Sequence, residues 1–350
     1  MRDAFAILVM EAYRIQGVLA PVVTPFKPDL SPDPERLIRH CQWLLSQNCG
    51  LAVFGTNSEA NSMAGDERMT VLDALVGAGV DPRRMMPGTG CCSIHETVEL
   101  TAHAVSHGCA GVLMLPPFYY KDVSEEGLYR YFSEVVERVG DVRLRIYLYH
   151  IPPVAVVGIT PRLVERLLKA YPSAIAGMKD SSSDWNNTKI FLDAFAVRDF
   201  DVFVGSESFL LANMRNGGVG TISATANVNP AAIYELYADA RDEARSCAQT
   251  KRPTPNAQRP TLNEESSPPA REVSARLQTV QEKLNLVREV FVRKSWPSTI
   301  AALKQAIAIY GNDPEWARVR PPLIELTAEQ ARKLVAELEK IEFSIKLAEG

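Results

Sequence analysis

The run GMKDSSSD (177–184) puts a lysine, Lys179, at the end of an apolar stretch that reads as a buried strand. A buried ammonium is costly unless it is paired or gives up its proton. Two structural readings compete with chemistry: the side chain snorkels to the surface, or it pairs with Asp180 or Asp184. A lysine free of both would be a nucleophilic amine, able to form an imine with a carbonyl. Other apolar stretches end in groups that move protons. They supply Thr56 in GTNSEA (55–60), Tyr119 in PPFYYK (116–121), Tyr149 in YHIPP (149–153) and the hydroxyls of TISATAN (221–227). Phenols and alcohols beside an amine can relay protons without pinning it as an ammonium, which a carboxylate would do.

The elements that must bring these residues together alternate from residue 17 onward. Strand-like runs at 17–26, 50–55, 85–90, 111–116, 145–152, 174–179, 201–206 and 219–227 are each followed by a helix-like segment. These runs are continuously apolar rather than alternating, the pattern of strands covered on both faces. Proline at first helical positions (Pro161, Pro230) and glycine at helix ends support the boundaries. Eight such units predict an α/β protein, a (β/α)8 TIM barrel, with chemistry at the strand ends. A doubly wound nucleotide-binding sheet would need a glycine-rich turn after the first strand, and TPFKPD is not one. The chain divides into an N-terminal extension (1–16), the barrel (17–248), a Pro/Ser/Thr/Asn-rich segment at 249–270 that reads as a disordered insertion, and a C-terminal helical extension (271–350).

Bulk properties exclude several classes. With 46% apolar and 23% charged residues and a net charge of −4, nothing points to a nucleic acid or an anionic membrane as partner. No apolar run approaches the roughly 20 residues that span a bilayer. The N-terminal stretch lacks the features of a secretory signal. The six cysteines are scattered and read as reduced thiols, so the expected location is cytoplasmic.

Five of these motifs, in order, carry a resemblance to a known family. GTNSEANSM, PPFYYK, YHIPP, GMKDSS and GTISATANVNP resemble the strand-end motifs of the pyruvate-dependent class I aldolases typified by N-acetylneuraminate lyase and dihydrodipicolinate synthase, over about residues 16–245. The resemblance implies a Schiff-base-forming lyase that cleaves or condenses a 2-oxo acid, pyruvate above all, with an aldehyde. In it Lys179 would form the imine, Tyr149 would shuttle protons, and Thr56 and Tyr119 would complete the relay, Tyr119 reaching in from a neighbouring subunit. The backbone N–H groups of Thr56 and Asn57 would hold the substrate carboxylate, and Ile222 would offer its backbone carbonyl near the imine. No cofactor and no metal are implied. The partners implied are a small 2-oxo acid and further copies of the chain, as a dimer or tetramer. Three departures stand out. Asn57-Ser58 replaces the family's Thr-Gly, and His150 replaces its asparagine. Val154 lies where the dihydrodipicolinate synthases carry an arginine for the second substrate, so an aldehyde with its own carboxylate is expected to be a poor partner.

Rival readings remain at this stage. A dehydratase of a sugar acid or hydroxy-oxo acid would use the same lysine imine, and the motifs do not separate it from an aldolase. A non-catalytic 2-oxo-acid sensor could be built on the same barrel. A metal site from His95, His103 and His107 with Cys91, Cys92 and Cys109 lacks the His-Glu-x-x-His pattern. A phosphate-binding isomerase barrel would want glycine-rich loops after its last two strands, which read GSESF and SATANVNP.

Overall fold

The computed structural model describes residues 14–250 and 268–345. Among them seven parallel strands form one sheet: β1 (Gly17–Ala20), β2 (Gly50–Leu51), β3 (Val112–Met114), β4 (Ile146–His150), β5 (Ile175–Asp180), β6 (Asp201–Val204) and β7 (Gly220–Ile222). Their spatial order is β2-β1-β7-β6-β5-β4-β3. The two edge strands meet through residues 85–89, which the sequence reading takes as a further strand. Met86 N donates to Leu51 O at 2.7 Å, and Leu113 N donates to Pro87 O at 2.8 Å. Bridges rather than a ladder form here because the segment must pass close beneath the 52–55 backbone. A Cβ on Gly88 would stand 2.2 Å from Phe54 O, so only glycine fits. The sheet thereby curls closed as a TIM barrel.

Helices alternate with the strands: α1 (Pro34–Ser46), α2 (Gly65–Gly77), α3 (Ile94–Ser106), α4 (Glu125–Val139), a single turn α5 (Pro152–Ala155), α6 (Pro161–Ala170), α7 (Trp185–Phe195), α8 (Leu210–Arg215) and α9 (Pro230–Thr250). Three more follow: α10 (Pro268–Phe291), α11 (Thr299–Tyr310) and α12 (Ala328–Lys340). Local chemistry sets the starts. Thr160, Asp184 and Ser298 each accept a backbone N–H of the first turn of the helix that follows, a contact typically worth about 1 kcal/mol. In α6 the residues Leu163, Val164, Leu167 and Leu168 fall on one face and are buried against the sheet.

The paired strands are shorter than the apolar runs suggest: β1 stops at Ala20 rather than 26, and β2 at Leu51 rather than 55. The residues beyond are still buried, but they leave the ladder to build the mouth. An inner core takes Leu19, Ala52, Met86, Leu113, Tyr147, Tyr149, Ala176, Phe203 and Ile222, one or two from each strand and from the bridging segment, separate from the larger core under the helices. Ile15 closes this inner core at the barrel floor, where Arg14 Nε donates to Asp201 Oδ2 at 2.9 Å. Of the N-terminal extension, residues 1–13 lie outside the described residues. So does 251–267 of the expected insertion, whose two margins are instead the ends of α9 and α10.

Candidate active site

Parallel pairing between β4 and β5 sets Tyr149 opposite Lys179. Side chains in register on neighbouring strands point to the same face, so amine and phenol both enter the barrel at its C-terminal end. Both are almost completely buried, at 4% and 3% exposure. Lys179 Nζ donates to Tyr149 Oη at 3.3 Å, and Thr56 Oγ1 lies 3.3 Å from the same phenol oxygen. The Lys179 nitrogen also sits 4.4 Å from the centre of the Tyr149 ring.

Neither neighbouring carboxylate reaches the amine. Asp180 accepts from Ser182 N (2.8 Å), Asn187 Nδ2 (3.0 Å) and Thr188 Oγ1 (2.6 Å). Asp184 caps α7 through Asn186 N at 2.9 Å. The DSSSD sequence after Lys179 is therefore helix-entry chemistry that turns the acids away from the lysine.

The loop 54–59 brings Thr56 and Asn57 over the barrel axis. Phe54 and Glu59 both adopt left-handed backbone (φ 60° and 58°), which β-carbon residues accept only when surroundings enforce it. Ser58 is one enforcer. Its Oγ accepts from Gly55 N at 3.2 Å and donates to Val22 O, and its carbonyl accepts from Thr24 Oγ1 at 2.8 Å. The serine where the family has glycine thus serves the loop itself. Glu59 is the other: its carboxylate meets Lys304 Nζ of α11 at 2.7 Å and Arg320 N at 2.7 Å, and the side chains of Glu59 and Lys304 have no exposed surface. Burial pulls the Lys304 ammonium down to about 8, against the opposing pull of Glu59. Asn57 Nδ2 is buried without a partner among the described residues, an unfilled donor at the cavity wall.

A cavity of about 340 Å³ opens above Lys179, large enough for a 2-oxo acid and a second small molecule. Thr56, Asn57, Tyr149, Lys179 and Ile222 line its base. Its outer wall comes from segments in which the sequence reading finds no function: Arg288 and Val292 at the end of α10, and Ser298, Thr299 and Ile300 at the start of α11. Arg288 Nη1 donates to Glu207 Oε2 at 3.2 Å and Ser223 Oγ at 3.3 Å. No motif marks Arg288; only the helix that carries it, folded back over the strand ends, reveals its position.

The remaining predicted residues fall as follows. Tyr119 is 73% exposed, stacks edge-on with Tyr120 and does not reach the cavity of its own chain. His150 is buried facing the helices; its Nδ1 accepts Ile159 N–H at 2.9 Å, and burial lowers its proton affinity despite nearby Asp180. It organises the loop after β4 rather than contacting the cavity. Val154 lines the cavity rim and is 60% exposed. The histidines of the metal reading do not gather with cysteines. His103 and His107 approach Asp73 Oδ1 at 2.8 and 2.7 Å on the outer faces of α3 and α2, and none of these three residues lines the cavity. Among the described residues no helix is long and apolar enough to cross a membrane.

A closed parallel barrel with an amine facing a phenol at its mouth belongs to the class of Schiff-base lyases. Comparison with known proteins narrows the class. The profile of the Dihydrodipicolinate synthetase family matches residues 14–256, and the chain belongs to that family. It is 38% identical over 223 residues to 4-hydroxy-tetrahydrodipicolinate synthase of Thermus thermophilus, covering 63% of this chain and 72% of that one. An uncharacterised DapA-like lyase of Chloroflexus aurantiacus is 28% identical over 331 residues, 93% of this chain and 97% of its own. The crystal structure of dihydrodipicolinate synthase from Agrobacterium tumefaciens superposes with a TM-score of 0.76 at 28% identity, over 93% of this chain and 99% of that one.

Proposed function

We propose that the protein is a class I lyase that forms a Schiff base between Lys179 and a 2-oxo acid, pyruvate in the first instance, and joins it to or releases it from an aldehyde. The observation that carries this reading is the buried Lys179–Tyr149 contact in a cavity where no carboxylate reaches the amine. The neutral amine attacks the ketone carbon, the carbinolamine loses water, and the protonated imine withdraws electrons from the adjacent C3–H or C3–C4 bond. Loss of the C3 proton gives an enamine that adds to the aldehyde carbonyl. Water then hydrolyses the product imine and restores the amine.

Tyr149 protonates the departing hydroxyl and takes protons back, a role supported by its hydrogen-bond contacts with both Lys179 and Thr56. Asn57, with its unfilled buried donor, and the backbone N–H of Thr56 receive the 2-oxo acid carboxylate. The Ile222 carbonyl faces the imine nitrogen. Tyr119, exposed beside Tyr120, completes the relay in a second copy of the chain, so the working form is a homo-oligomer, a dimer or tetramer. On this reading the barrel (17–248) supplies the imine chemistry, and the helical region (271–350) supplies the outer wall.

Borohydride reduction in the presence of pyruvate tests the proposal. One reduced adduct is expected on the peptide containing Lys179, and Lys179→Ala removes both adduct and turnover. An adduct on Lys121, Lys169 or Lys189, or none at all, refutes it. A dehydratase would trap pyruvate poorly and instead trap a hydroxylated 2-oxo acid, with release of water rather than an aldehyde.

A further inference from the structure

Arg288 is the one cation besides Lys179 among the residues lining the cavity. Its guanidinium is anchored on one side only. Nη1 holds Glu207 Oε2 and Ser223 Oγ, while Nε and Nη2 have no hydrogen-bond partner among the described residues. Glu207 lies behind it, with a side chain 1% exposed that also accepts the hydroxyls of Ser223 and Thr225. Glu207 does not itself line the cavity. The carboxylate thus aims the arginine and is screened from the cavity by it. The helix is fixed two turns further back as well: Gln281 Nε2 donates to Glu207 O at 2.8 Å and its Oε1 accepts Leu211 N at 3.1 Å.

The free Nε–Nη2 edge is the pair of parallel donors that matches two oxygens of a carboxylate or phosphate. The carboxylates near that edge are engaged by other donors. Asp180, the acid among the residues lining the cavity, has both oxygens occupied by Ser182, Asn187 and Thr188. The same wall carries Thr299 and Ile300 at the amino end of the twelve-residue α11, where backbone N–H groups favour negative charge. In the reading proposed above, the 2-oxo acid carboxylate is received at Thr56 and the unpartnered Asn57 Nδ2, which leaves Arg288 for a second anionic group.

We propose that Arg288 is the specificity-determining residue for the second substrate: the aldehyde handled by this site carries an anionic group, carboxylate or phosphate, at the end remote from its carbonyl. This rests on the Schiff-base reading above and deepens it. It also replaces the expectation from Val154 that a charged aldehyde has no partner, because the cation comes from the opposite wall.

The test compares kcat/KM for pyruvate addition to succinic semialdehyde, to glyceraldehyde 3-phosphate and to the uncharged butanal. Wild type should favour one of the anionic aldehydes over butanal by about 30-fold or more, the scale on which a lost charge partner is felt. The preferred aldehyde identifies the anion as carboxylate or phosphate. Arg288→Met should collapse that ratio toward one, and Arg288→Lys should recover part of it. Since Arg288→Met strands a buried Glu207, the double variant Glu207→Gln/Arg288→Met is run alongside and should show the same collapsed ratio. A wild-type enzyme indifferent to the anion, or a ratio unchanged in both Arg288→Met proteins, overturns the proposal. Borohydride trapping of pyruvate is read in parallel. A wild-type protein that traps no 2-oxo acid sinks the Schiff-base reading itself, whereas normal trapping with a flat aldehyde ratio sinks only the role of Arg288.

Discussion

Replacing Lys304 by methionine should loosen the 54–59 loop of the cavity from a distance. Lys304 and Glu59 form an ion pair with no exposed surface, 2.7 Å apart, linking α11 to a left-handed residue two positions beyond Asn57. Lys304→Met fills much the same volume but leaves a carboxylate in the core with a single remaining donor, Arg320 N–H. Removing one partner of a buried pair typically costs about 3–5 kcal/mol, because the stranded charge keeps its full desolvation penalty. For a chain of 350 residues that is roughly a 4–7 °C fall in melting temperature. Urea unfolding at pH 7, where the Lys304 ammonium is charged, can be followed through the buried Trp43, Trp296 and Trp316. The double variant Glu59→Gln/Lys304→Met removes the charge and should recover about 2 kcal/mol of the loss. Because Glu59 holds the loop that carries Thr56 and Asn57, the single variant should also bind pyruvate more weakly under conditions where it remains folded. A loss below about 1 kcal/mol, or a double variant no better than the single one, would show that the pair is not what fixes the loop.

Two further outcomes follow from particular contacts. Tyr149→Phe removes the hydroxyl shared by Lys179 and Thr56 while keeping the packed ring, so it should melt like wild type yet turn over at least about 100-fold more slowly; unchanged turnover would make Tyr149 a packing residue. His40, buried between Trp43 and Trp316, is held at about 4 by desolvation, below its ordinary 6.5. It is neutral in the fold while the unfolded chain takes up a proton below 6.5, so its contribution to stability is full above 6.5 and is lost as the pH falls toward 4, by about 3 kcal/mol. The stability difference between wild type and His40→Leu should fall across that window, and a flat difference would refute the assignment.

Much of the barrel was legible because burial on both faces leaves a strong mark: each run such as GVLMLP or RIYLYHIP is a strand of the observed sheet, with only its ends trimmed. The 85–90 run was misread in degree, since its glycines permit a close backbone crossing that breaks the ladder into bridges. At the base of the site, Tyr149 and Lys179 could be named from sequence because each stands at the end of such a run, where strand register brings them together; Thr56 follows such a run too, but the contacts of Ser58 and Glu59 hold its loop. His150 follows Tyr149 on a regularly alternating strand, so it points the opposite way, into the helix layer against Phe191. The partners that arrive from far along the chain were not legible. The Glu59–Lys304 pair spans 245 positions and Arg288–Glu207 spans 81, and nothing in a helix sequence rich in charges distinguishes the one that turns inward.

That distribution reflects a division of labour within the cavity. The Lys179–Tyr149 contact is held by neighbouring strands, whose hydrogen-bond ladder fixes both residues with little freedom. The wall opposite is held by helices joined to the barrel through a few buried polar contacts, Gln281 and Arg288 to Glu207 and Lys304 to Glu59. Each of these contacts reaches a residue that itself shapes a loop at the mouth. A substitution in the helical region can therefore change the outer wall of the cavity without disturbing the register that pairs Lys179 with Tyr149. The reverse does not hold, since moving β5 by one residue would turn Lys179 out of the barrel altogether. Variation in second-substrate preference on this scaffold should accordingly be sought at α10 and the start of α11, where Arg288 and Thr299 face the cavity, before it is sought among the residues around the lysine.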